Sequence, residues 1–118
     1  MVTLTVYGMP FYEMAAASGY FDHHCMIVNH AWKSLSKTAS EVLNISSGEI
    51  RVFFPQDCVR PIEFRKEGVV CLVEGVSGKP EWTSQILGKL SKMLVDCIHE
   101  LIRKLLPENQ IKVQVVIK

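Results

Sequence analysis

The stretch His30 to Phe54, HAWKSLSKTASEVLNISSGEIRVFF, decides the fold, because it runs a helix, a tight turn and a strand together without a break. Ala31, Leu35, Ala39 and Val42 recur at spacings of three to four residues, one apolar stripe that Ile27 extends upstream. Lys33, Ser36, Lys37, Ser40 and Glu41 lie off the stripe, and Asp22 offers an N-cap. Asn44 to Gly48 is turn chemistry, after which Glu49 to Phe54 reads as a strand halted by Pro55.

The phrase is written twice. Residues 89–115, KLSKMLVDCIHELIRKLLPENQIKVQV, repeat its order: Leu35-Ser36-Lys37 recurs as Leu90-Ser91-Lys92, and Ile50-Arg51-Val52 is answered by Ile111-Lys112-Val113. A β-rich run precedes each copy, VTLTVYG at 2–8 and VVCLVEGV at 69–76. The chain therefore scans as a single domain, 1–118, of two strand–helix–strand halves at about 1–55 and 67–118.

In the first run Val2, Leu4 and Val6 alternate with Thr3, Thr5 and Tyr7, the period of a strand with one apolar face, and Gly8 and Pro10 stop it. FYEMAAAS can form a short helix ending at Gly19, with YFDHH leading into the next one. Gln56 to Lys66 reads as a loop or irregular hairpin. Gly68 to Val76 is an apolar strand broken only by Glu74, the pattern of a strand covered on both faces. After the turn Ser77-Gly78-Lys79-Pro80 comes the longest helix, from about Glu81 to Leu106, with the stripe Leu87, Leu90, Leu94, Cys97 or Ile98, Leu101 and Leu105. Arg103 and Lys104 suit its last turn and Pro107 ends it; Ile111 to Ile117 is the last strand.

The order β-α-β-β-α-β predicts an α/β (α+β) fold: a four-stranded mixed sheet with two helices on one face, each unit's strands adjacent and parallel. Alternation then turns Arg51, Phe53, Lys112, Gln114 and Val116 to the opposite face, with Thr3, Thr5, Tyr7 and either Cys71 or Leu72. A face so mixed in polarity is expected to be covered by another chain.

Composition narrows the function classes. At 118 residues the chain can bury a core without metal or disulfide staples, and 48% apolar with 21% charged residues is ordinary globular usage. A net charge of +1 gives no electrostatic case for nucleic acid or an anionic membrane as partner. No apolar run approaches the roughly 20 residues of a membrane span, and no basic-then-apolar leader opens the sequence, so a cytoplasmic protein is expected. The four cysteines form no C-x-x-C pair; Cys71 and Cys97 fall on predicted strand and helix, where a free thiol is a small hydrophobe. His23, His24, Cys25 and His30 lack the paired spacing of a zinc site, so no metal is expected. Cys58 has Arg60 nearby but no evident base, and reads as a loop thiol.

The doubled β-α-β order across nearly the whole chain, the strand beginning at the second residue, and EVLNISSGEIRVFF resemble the tautomerase superfamily, which includes macrophage migration inhibitory factor and 4-oxalocrotonate tautomerase. The resemblance implies trimers of two-unit subunits, or hexamers of single units, with sheets around a central barrel. It implies no cofactor and an amino-terminal proline, exposed by removal of Met1, acting as general base on small 2-keto acids whose carboxylate is held by cations. Arg51 matches such an arginine in the second strand, with Lys112 as a weaker companion in the second half. Apart from the resemblance, Tyr7, Trp82 and Phe53 can line an apolar pocket, although aromatics at such places are more often packing. The sequence departs at the key position, where Val2 stands in place of proline. With Met1 removed, Val2 would offer a primary amine of ordinary pKa roughly 7.7–8.0, which burial near Arg51 would lower. The segment Met9 to Tyr20 is also longer than the family's usual link.

Two readings follow from the resemblance. One is an isomerase of a small enol or keto carboxylate, with Val2 as base and Arg51 as anchor; the other is a non-catalytic oligomer of the same fold. A third, a ferredoxin-like binding module, shares the element order and lacks the aromatic signature of RNA recognition. Strand pairing separates it, because a ferredoxin-like sheet splits each unit's strands.

Overall fold

The computed structural model describes residues 1–19, 24–55, 68–108 and 110–118. Asp22, His23, Cys58, Arg60 and the whole of Gln56 to Lys66 lie outside the described residues. The elements are β1 (Val2–Tyr7), α1 (Phe11–Ala17), α2 (His24–Leu43), a 3-10 turn (Ser47–Glu49), β2 (Ile50–Phe53), β3 (Val69–Glu74), α3 (Ser84–Leu105) and β4 (Val113–Ile117).

The strands form one sheet in the order β2-β1-β3-β4. β1 pairs parallel with β2 and β3 parallel with β4, so each unit keeps its own strands adjacent, and the ferredoxin-like alternative is excluded. The two units meet through antiparallel pairing of β1 with β3, the central strands. Both are buried on the helical side, where Val2, Leu4, Val6, Val69, Cys71 and Val73 join Leu35, Ala39, Leu90, Leu94 and Ile98 in one core. Burial of side chains this size contributes about 1.5–3 kcal/mol each, which makes this core the main source of stability.

Each helix begins and ends for a local reason. Thr83 caps α3 by accepting from the Ile86 N–H at 3.4 Å, so the helix starts at Ser84 and not at Glu81, because Pro80 to Trp82 are held in a turn. Arg103 and Lys104 do occupy its last turn. Asn44, with a left-handed φ of 56°, closes α2. Ser46 and Glu49 then form a capping box around the 3-10 turn, which delivers the chain to β2. The indole N–H of Trp82 donates to the Leu43 carbonyl at 3.1 Å, tying the end of α2 to the second unit.

The short helix that FYEMAAAS can form is present as α1 and buries Phe11, Met14 and Ala15, so a third helix joins the two of the repeat. The helix stripes differ in detail. In α2 the last core position is Leu43, with Val42 only half-buried. Ser36, which lies off the apolar stripe, is only 4% exposed, and its hydroxyl has no hydrogen-bond partner. In α3 Ile98, not Cys97, takes the core position.

Candidate functional site at the start of the chain

The register of the sheet fixes what shares the face opposite the helices. Thr3 pairs with Arg51 on one side and Glu74 on the other, giving the cross-strand row Arg51, Thr3, Glu74. The next row is Phe53, Thr5, Leu72, Val116, and the third contains Tyr7, Val70 and Gln114. Leu72 is therefore the outward residue and Cys71 the core one, since Cys71 lies opposite Val6.

Of the residues singled out in the sequence, three gather at one end. Val2 opens β1 and is 2% exposed, its side chain in the core. Arg51 is exposed and stands one position along β2 from Ile50, the partner of Val2. Phe53, two residues farther on and 51% exposed, is an apolar neighbour on the same face. Tyr7 lies at the far end of β1, four residues from Thr3, or about 13 Å at strand rise. Lys112 precedes β4 beyond the Val69–Val113 pair, at that same far end and on the opposite edge of the sheet from Arg51. Within one subunit Arg51 and Lys112 do not converge.

The repeat also slips by two residues. Laying the first pair of one unit, Val2–Ile50, on the first pair of the other, Val69–Val113, places Arg51 over Gln114, two positions from Lys112. A two-residue slip preserves the side of a strand, which is why the motif-level match still put Lys112 on the correct face.

Two further residues complete the end of the sheet. Glu74 is exposed, the one such residue in a strand whose other members, Val69 to Val73, are all buried. Gly75 follows it with a φ of 92°, and a Cβ there would collide with the carbonyl oxygen of Met1 and stand 3.4 Å from the Cα of Val2. The end of β3 thus packs directly on the Met1–Val2 peptide. Glu74 was visible in the sequence as the only charge in VVCLVEGV; its partnership with Thr3 was not, because nothing local sets an antiparallel register between distant strands.

No protein-family profile matches the sequence, and no curated protein matches it. Solved structures do. A fused 4-OT (4-oxalocrotonate tautomerase) wild type, an asymmetric trimer, aligns over 98% of this chain and 84% of its own with a TM-score of 0.58 and 15% identity. The fold is tautomerase-like. A fused 4-OT wild-type symmetric trimer gives 0.57 at 14% identity, covering 98% of this chain and 83% of that one. A second asymmetric trimer gives 0.54 at 14% identity, covering 98% and 84%.

On this tautomerase-like scaffold the other chemically notable groups lie elsewhere. A groove of about 470 Å³ between α2 and α3 is lined by His30, Lys37, Thr38, Asp96, Cys97 and Lys104 among others. A cleft of about 420 Å³ beside β2 is lined by His24, Cys25, Trp32 and Phe54. Neither touches Val2, Arg51, Lys112, Tyr7 or Phe53. Burial, reinforced by the nearby Cys97, pushes the Cys71 thiol up to about 12, and burial raises Cys97 as well against a hydrogen bond with Thr38, so neither is a ready nucleophile. Among the described residues no three histidine, cysteine or acidic side chains gather as a metal site, and no helix is long and apolar enough to cross a membrane. Trp82 packs against the core and donates to Leu43, a structural role.

Proposed function

We propose that this chain is a tautomerase-like isomerase of a small enol or keto carboxylate. The observation that carries the reading is the pairing of Val2 with Ile50 and Thr3 with Arg51, which sets a guanidinium-bearing residue beside the first residues of the chain. Arg51 would bind the substrate carboxylate through two parallel N–H donors, a geometry that matches a planar anion. With Met1 removed, the amine of Val2 would exchange a proton with the carbon next to the keto or enol group, and Phe53 would wall the site.

The reading includes a homo-oligomer, with a trimer as the assembly. It is supported by Phe53, 51% exposed on the sheet face opposite the core helices, and the similar solved structures are themselves described as trimers. Mass measurement in solution tests it, and a stable monomer would contradict it. Lys112 and Tyr7, distant from Arg51 in one subunit, would contribute only across a subunit boundary.

A second reading, a non-catalytic oligomer that binds carboxylates, is favoured by one observation. With Met1 present the Val2 nitrogen is an amide and the Met1 carbonyl fills the space against Gly75, which leaves no amine at that place. Intact mass spectrometry with an enol–keto assay separates the two. Turnover by the chain lacking Met1, impaired by Arg51→Ala, supports the isomerase; carboxylate binding with no turnover supports the second reading.

A further inference from the structure

We infer that Glu74 is a second proton-transfer group of this site, acting opposite Arg51 across Thr3; the inference rests on the isomerase reading. Arg51 and Glu74 flank Thr3 on the same sheet face, so their Cα atoms are two strand spacings apart, roughly 9.5 Å. Both side chains stand on one face, and a molecule of three or four carbons is the size that would bridge their charged ends. The Thr3 hydroxyl lies under that space, half-buried.

The placement of Glu74 has an independent mark. The residue after it, Gly75, abuts the Met1–Val2 peptide, so the same strand end that carries the carboxylate also touches the chain start. Cation, carboxylate and amine therefore come from three adjacent strands at one end of the sheet. A keto–enol exchange moves two protons, one at carbon and one at oxygen, and a single primary amine serves both only by turning between them. With two groups the step balances simply. The Val2 ammonium gives a proton to the substrate carbon as the enol O–H gives its proton to the Glu74 carboxylate, the C=C pair becoming the C–H bond and the O–H pair the carbonyl. Amine and carboxylic acid then restore their protons by exchange with water, with no change in oxidation state.

The decisive experiment measures kcat and KM for a small enol carboxylate with the wild type, Glu74→Gln, Glu74→Asp and Arg51→Ala. Glu74→Gln is expected to lower kcat about 100-fold, the scale of one lost acid–base group, with KM no higher than in wild type, and Glu74→Asp to retain more of the rate than the amide. Arg51→Ala is expected instead to raise KM. If Glu74→Gln turns over at the wild-type rate while Arg51→Ala is impaired, the isomerase reading stands and the role of Glu74 is overturned. A wild type without turnover overturns both. A Glu74→Gln chain that melts at a lower temperature yet keeps its kcat assigns Glu74 to an ion pair over Thr3 and also overturns the proposal.

Discussion

Arg51 and Glu74, opposite in charge and on the two strands that flank Thr3, face each other across it on the side of the sheet opposite the core helices α2 and α3. A bound carboxylate would meet attraction from one and repulsion from the other. For an inert 2-keto carboxylate, titration calorimetry should therefore find affinity about tenfold lower in Arg51→Ala, the scale of one charge-assisted contact. Glu74→Gln should bind about threefold tighter, the discount reflecting solvent screening at an exposed position. Affinity unmoved in both variants would place the ligand elsewhere.

Gly75 is tested by a methyl group. Gly75→Ala places an ordinary residue at a φ of 92° and drives its Cβ into the Met1 carbonyl. Denaturant unfolding should show a loss of about 2 kcal/mol, combining backbone strain with the collision. The loss should be smaller in a preparation lacking Met1, since only the strain remains; equal losses in both would show that the Met1 contact has no weight.

The entry into β2 rests on the capping box of Ser46 and Glu49. Ser46→Ala is expected to cost about 1 kcal/mol in unfolding free energy. Because the box sits four residues before Ile50, it should also weaken carboxylate binding at Arg51 by loosening the strand register. A variant as stable and as competent as wild type would show that the β1 pairing alone fixes Arg51.

The buried thiol of Cys71 makes a pH prediction. Its folded pKa of about 12 stands above the ordinary thiol value of 9.0, so the native state disfavours the thiolate. The stability held by this group is complete below pH 9 and is lost as pH climbs from there toward 12. Between pH 8 and 10 the unfolding free energy should fall by about 1 kcal/mol from Cys71 by linkage, and Cys71→Val should flatten most of that decline. An unchanged slope in the variant would assign it to other groups.

The doubled unit was legible because its signals are local: a period of two in Val2–Tyr7, a period near 3.6 around Leu35 and Leu94, and turn residues between Asn44 and Gly48. The same logic placed Arg51 and Phe53 on the outer face. What eluded it depends on distant pairing. Equating Ile111-Lys112-Val113 with Ile50-Arg51-Val52 matches letters, which carry no information on which carbonyl meets which N–H, and Lys112 falls just outside β4 at the far end of the sheet from Arg51. Glu74 stood out only as a break in an apolar run for the same reason, its place beside Thr3 arising when β3 is laid antiparallel beside β1. Ser36 shows the limit of a stripe argument, because neighbouring elements can cover a polar flank that periodicity assigns to solvent.

Proton exchange read by NMR in heavy water tests the central claim most directly. A chain whose intact mass confirms loss of Met1 should catalyse deuterium entry at the carbon beside the keto group of a small 2-keto acid, and Arg51→Ala should slow that entry by about tenfold with substrate below KM. Deuterium uptake no faster than in buffer, or uptake indifferent to Arg51→Ala, would contradict the account.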